Sequence, residues 1–203
     1  MPNTPTDMAG TTSTATPGVP SGVALLGMLQ LTDSALPTGA FSHSLGLETY
    51  MSDGRVEGEE DFAAWLEMFV EQQLTFTDAL AVRLVYAAED FDAVANLDEL
   101  VTAQALPAQI REAGRTMGRR LLRIGAPAYP GDWVRRYHEG VEAGTLDAHQ
   151  ALVWGVIARE IGVPVEEAVA AHLYASVMSL TQNAVRGIPL GQDAGQRVVR
   201  RAQ

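Results

Sequence analysis

The sequence predicts an all-α protein, a single globular bundle of about nine or ten helices. Three observations carry this. Apolar residues recur at helical spacing over most of the chain behind residue 20. Gly and Pro punctuate that pattern at regular intervals. No β-hairpin signal and no solenoid-length repeat interrupts it. A chain of 203 residues suits one domain, and at that size roughly 70% of the unfolded surface is buried.

The elements follow in order. Residues 1–20 are rich in Thr, Pro, Ser and Gly with one charge, Asp7, and read as a disordered tail before a domain at 21–203. That tail lacks the basic start and apolar core of a secretory signal. Residues 23–33 place Ala24, Leu25, Met28, Leu29 and Leu31 on one broad apolar helix face, which Pro37 and Gly39 break. Ser42 or Ser44 is expected to cap a helix running to about Met51 and ended by Gly54. Residues 58–76 begin with Glu59, Glu60 and Asp61, as the helix dipole favours, and continue with Phe62, Trp65, Leu66, Phe69 and Val70 at helical spacing. Thr77 is expected to cap a separate helix to about Glu89.

Residues 91–105 and 107–124 follow, divided by Pro107 at a first-turn position. Residues 125–131, with two prolines, read as a loop. A short helix over 131–142 ends near Gly144, and Asp147 is expected to cap residues 148–161. Gly162, Val163 and Pro164 separate that helix from a long one over 165–187. Pro189 closes the long helix, and 191–202 form the last. The long helix is apolar on every side, so it is expected at the centre of the bundle. Its 168–185 stretch has no formal charge over 18 positions. Its His, Ser, Thr, Gln and Asn groups suit a buried helix better than a membrane span.

Composition excludes several chemistries. With no Cys there is no disulfide, no thiol catalysis and no cysteine zinc site, and the chain suits a reducing compartment. All 14 basic residues are Arg, so a Schiff-base or P-loop lysine is absent. A net charge of −11 argues against a nucleic-acid partner. Charge is also segregated, with 12 acidic residues from Glu48 to Asp92 and seven Arg from Arg111 to Arg136. This pattern reads either as pairing between neighbouring helices or as a steered docking surface.

The densest cluster of special residues runs from Leu36 to Glu48. It holds Pro37, Thr38, Gly39, Phe41, Ser42, His43, Ser44, Gly46 and Glu48 between two apolar segments, more than a connector needs. Ser42, His43 and Ser44 are adjacent, but adjacency does not make a triad. No two of His43, His138, His149 and His172 share the i, i+4 spacing of a helical metal pair. No stably bound metal or cofactor is expected. His43 reads as a packed loop histidine, a partner contact or, least simply, a ligand. Gly46 reads as close helix packing or as part of a surface, and His149 as a residue of the helix start. His149 and His172, on separate helices, are free to meet in space. A second set is Arg186, Pro189, Gly191, Gln192 and Gln196, at and beyond the end of the long helix. Gln192 and Gln196 share a helix face. No catalytic residue is assigned.

These segments, in this order, resemble one family. They are Leu29-Gln30-Leu31 leading into Leu36–Glu48, Met117-Gly118-Arg119-Arg120-Leu121-Leu122, His149–Gly155, and Asn183–Gln192 followed by Gln196. Together they resemble the UreF family of urease accessory proteins over about residues 23–200. One departure is Gly187, where a bulkier apolar residue is expected, a change expected to loosen that helix end. The resemblance implies an all-helical, cytoplasmic, non-enzymatic protein that dimerises and binds UreD (UreH in some systems). It implies recruitment of the GTPase UreG, which binds GTP, and delivery of nickel to apo-urease, with the ion handled only in transit. It also places Pro37, Gly39, Phe41, Ser42, His43, Gly46 and Glu48, with the Arg186 to Gln196 set, on a partner-binding surface. Two rivals stand beside that reading. One is a regulator of a GTPase's turnover in its own right. The other is a helical small-molecule enzyme built on the polar row 172–183, which requires a closed pocket there.

Overall fold

The computed structural model describes residues 21–203, with the Phe41 side chain outside that description. The expected tail, 1–20, lies outside the described residues. Among the described residues the chain is all-helical, with nine helices and no strand. They are α1 (Gly22–Thr32), α2 (Leu47–Ser52), α3 (the continuous rod Glu59–Phe69, Val70–Ala79 and Leu80–Ala87), α4 (Phe91–Gln104) and α5 (Ala108–Ala128). The remainder are α6 (Asp132–Glu142), α7 (Gln150–Glu160), α8 (Val165–Gly187) and α9 (Gln192–Arg201). No helix among the described residues is long and apolar enough to cross a membrane.

The centre of the bundle is α7, not α8 as expected. Every residue from Ala151 to Ala158 is buried, whereas α8 leaves Tyr174 exposed. Eight consecutive small or apolar residues give α7 no polar face to turn outward, so neighbours must cover it all round. Two glycines on α5 and one on α7 let those neighbours close in. A Cβ at Gly125 would strike the Ile157 side chain, and one at Gly155 would sit 3.2 Å from Val85 Cβ. The Trp154 indole N–H donates to the Ala168 carbonyl at 2.7 Å, tying α7 to the start of α8. A second core joins α2, the first segment of α3, the C-terminal half of α8 and α9 around Phe62, Leu66, Leu180 and Val198.

Several boundaries differ from expectation. Thr77 starts no new helix. It lies inside the middle segment of α3, a π-helix over Val70–Ala79, and its hydroxyl donates to the Gln73 carbonyl at 3.0 Å. The Thr75 hydroxyl donates to the Val70 carbonyl at 2.8 Å in the same wide turns. Helix α5 runs on through Pro127 to Ala128, where a loop was expected. Only one backbone bond is lost at that exposed end, and the Gly125 contact with Ile157 holds the turn in place. Pro107 is the N-cap of α5 rather than a first-turn residue.

Neither Ser42 nor Ser44 caps α2 through its side chain. The cap is Gly46 at φ 98°, preceded by Leu45 at φ 50°. A Cβ at Gly46 would meet nothing within 4 Å, so backbone conformation, not close packing, explains this glycine. Asp147 does not cap α7; His149 does. The α1 face is split. Ala24, Gly27 and Leu31 are buried, but Leu25, Leu29, Val23 and Leu26 are exposed. The buried side is the narrow one that Gly27 opens toward Ile161 and Tyr129. Gly187 does not loosen the end of α8. The Met51 side chain fills the space a larger residue would take, and the Ile188 N–H still reaches the Ala184 carbonyl at 2.9 Å.

Among the described residues the two charge-segregated stretches pair with each other only through Arg136 and Asp92, and the other pairs between helices draw on Arg residues outside Arg111–Arg136. Arg197 meets Glu59, Arg201 meets Glu60 and Glu67, Arg83 meets Glu166, and Arg136 meets Asp92. These pairs lie at the solvent-facing surface, where screening leaves each only a small contribution to stability.

Candidate functional site

The Leu36–Glu48 segment folds as a tight, internally bonded loop between α1 and α2. The Asp33 carboxylate accepts from the Ala35 N–H at 2.7 Å, and the Leu36 N–H donates to the Asp33 carbonyl at 2.9 Å. Gly39 takes φ 79°, which lets Ala40–Ser42 wind into a single 3-10 turn. The His43 N–H closes that turn on the Ala40 carbonyl at 3.0 Å. Two long-range bonds fasten the loop to the bundle. Arg120 Nη1 donates to the Thr38 carbonyl at 3.3 Å, and Asn183 Nδ2 donates to the His43 carbonyl at 3.2 Å. Arg186 Nη2 in turn donates to Asn183 Oδ1 at 2.6 Å.

One member of the second predicted set, Arg186, is therefore joined to the first set through Asn183. Asn183 closes the 172–183 polar row and opens the Asn183–Gln192 segment, yet it stands in neither predicted site set. Pro37, Ser42, Gly46 and Glu48 lie on the outer, exposed side of the loop, while Gly39 is buried against Arg120. His43 is half-buried and faces inward. The Phe41 side chain lies outside the described residues. Pro189 and Gly191 form the turn between α8 and α9, and Gln192 and Gln196 are exposed on α9. Among the described residues no hydrogen bond connects these four to the loop.

Beneath the loop lies a cleft of about 280 Å³, lined among others by Thr38, His43, Gln150, His172, Ser179 and Arg186. It opens at the exposed residues Asp33 and Ser34, so it is not the closed chamber that a small-molecule enzyme would require. A second cleft of about 320 Å³ shares Leu45, Met117, Gln150 and Ser176 with the first. At their boundary His172 Nε2 lies 3.2 Å from Asp78 Oδ1. His172 lines the first cleft, while Asp78 and His149 line the second. The two histidines thus meet around Asp78, which no sequence signal picked out. The π segment of α3 presents Asp78 there, because its wider turns shift the register of the residues it carries.

Burial alone would raise the Asp78 carboxyl. The hydrogen bond and charge of His172, with smaller help from His149 and Thr77, outweigh it and hold the group at about 2. Burial also pushes His149 below its ordinary 6.5, against the pull of Asp78. His149 serves as the α7 N-cap, its Nδ1 accepting from the Ala151 N–H at 3.4 Å. Among the described residues no cluster of three or more His, Asp or Glu side chains is placed to hold a metal ion.

A pH dependence follows. Below pH 6.5 the unfolded chain takes up a proton on His149 that the folded chain resists, so stability falls as pH drops below that value. The His149→Asn variant, which keeps a capping acceptor, is expected to flatten this part of the decline. Urea midpoints of both proteins on either side of that pH would check it; equal slopes for the two would contradict it.

A family model described as UreF matches residues 56–203 of the chain. A urease accessory protein UreF from Kocuria rhizophila is 71% identical over 184 residues, covering 91% of this chain and 79% of the relative. The protein of that name from an Arthrobacter species is 54% identical over 177 residues, covering 87% and 77%. One from Lachnoclostridium phytofermentans is 41% identical over 182 residues, covering 88% and 80%.

Proposed function

Because the chain belongs to the UreF family of urease accessory proteins, and is thus a urease maturation factor rather than an enzyme, we propose that it works as the adaptor of nickel insertion. In this reading it binds UreD (or UreH) and recruits UreG, whose bound GTP drives the cycle, and the assembly passes nickel to apo-urease. The ion is cargo in transit, held by no resident site of this chain. Residues 21–203 act as one domain, and the work is cytoplasmic, in keeping with the absence of Cys.

The observation that carries this reading is the pinned loop. Arg120 and Asn183 fix its backbone from below, while Pro37, Ser42, Gly46 and Glu48 stay exposed above. A surface held in one conformation before contact loses less entropy on binding, which suits a docking element. The Arg186 end of α8 and the exposed Gln192 and Gln196 offer a neighbouring polar surface. A homodimer is supported by an exposed apolar stripe on α3, where Phe76, Leu80 and Leu84 follow at i, i+4 and i+8.

Co-purification with the host's UreD and UreG tests the proposal, using wild type and a His43→Ala/Phe41→Ala pair. A stable ternary complex is expected for wild type and a weakened one for the pair, with circular dichroism unchanged. A wild-type protein that captures neither partner would sink the adaptor reading.

A further inference from the structure

We propose that the exposed face of α5 is a docking surface for a protein face rich in carboxylates, anchored by Arg119 and Arg123. The inference rests on the adaptor reading and deepens it, since this face borders the pinned loop.

The argument starts from how the arginines are used. Most are engaged among the described residues. Arg83, Arg115, Arg135, Arg136, Arg197 and Arg201 pair with carboxylates. Arg55 and Arg159 lie over the Tyr50 and Trp133 rings at 4.4 and 3.6 Å. Arg111 and Arg120 donate to backbone carbonyls. Arg119 and Arg123 differ, being exposed and making no hydrogen bond or ion pair among the described residues. They stand four residues apart on one helix face, so their guanidinium groups project side by side.

Two features make this more than an ordinary solvated face. The chain carries a net charge of −11, so carboxylates are abundant, yet none is placed against this pair. The pair also sits mid-helix in Ala108–Ala128, away from the last turn where the helix dipole would favour a cation. Arg120, between them in sequence, turns to the Thr38 carbonyl and fixes the face beside the loop. Guanidinium forks match carboxylates in two-point geometry, and cations on a strongly anionic chain select an oppositely charged partner during encounter.

The test compares full-length wild type with Arg119→Glu/Arg123→Glu and with Arg119→Lys/Arg123→Lys. Each is titrated against the host's purified UreD and UreG at low and high salt. Both residues are exposed, so unchanged circular dichroism and melting temperature are expected for all three. The Glu pair is expected to bind one of the two proteins about tenfold more weakly or worse, with a flatter salt dependence, while the Lys pair stays near wild type at low salt. If wild type binds and the Glu pair binds both proteins with the same affinity and salt slope, the surface is wrong and the adaptor reading stands. If wild type binds neither protein, the adaptor reading fails and takes the surface with it.

Discussion

Gly118→Ala is expected to lower folding stability by about 3 kcal/mol. The added Cβ would overlap the Ala148 carbonyl oxygen and crowd the Ala148 carbon at 2.8 Å and the Gln150 nitrogen at 3.0 Å. All three are backbone atoms, so no rotamer change relieves the clash. The loop that must move is already constrained, because Ala148 is held at φ 65°, a left-handed conformation that side chains disfavour. Moving it would pull α7 away from α5, and α7 is the centre of the larger core. Gly46→Ala provides the contrast. It meets only the conformational penalty of a left-handed residue in open space, about 1 kcal/mol. Chemical denaturation of both variants checks the ranking, and a Gly118→Ala protein no less stable than Gly46→Ala would contradict the close approach.

Asp98→Ala is expected to cost about 3 kcal/mol or more, because one buried carboxylate satisfies three donors. Asp98 is 1% exposed. It accepts from the Tyr137 hydroxyl at 2.5 Å, from the His149 N–H at 3.2 Å and from the Asp147 N–H. Burial, then the Asp98 charge, pushes the Tyr137 hydroxyl well above its usual range, so it stays a donor. Alanine would strand that fully buried hydroxyl together with two backbone N–H groups at the entry to α7. Asp147 would also lose part of the support that orients it toward Arg115, 2.5 Å away. Tyr137→Phe removes one donor and leaves the other two bonds, so a loss of about 1 kcal/mol is expected. Urea titrations of the single and double variants give the coupling. Strictly additive losses would mean that the three bonds do not act as a unit.

Both predictions concern the same junction, where α4, α5 and α6 meet the start of α7, and it shows what a sequence can and cannot disclose. Helix existence was legible throughout, because periodic apolar residues and Gly/Pro breaks are local signals. The long helix over Val165–Gly187 and the turn at Gly162 to Pro164 were readable for that reason. The Leu36–Glu48 loop was legible as a density of Pro, Gly, Ser and His, and the family through the segments that repeat its pattern. Breaks tied to tertiary support were not. Pro127 looks like a terminator until the Gly125 contact with Ile157 is seen, and Thr77 looks like a cap until the π segment is seen around it.

The sequence by itself determined the helical class, the order of the helices and UreF membership. All of these rest on residue types and spacings along the chain. Only the tertiary structure decided that α7 is the central helix, that Asn183 ties Arg186 to the His43 loop, and that Asp78 stands between His172 and His149. It likewise decided which arginines lack a carboxylate partner. The physical reason is the same in each case. Burial, hydrogen bonding and charge neutralisation depend on distances between residues far apart in the chain, 140 positions in the case of Asn183 and His43. Local propensity carries no information about those distances until packing sets them.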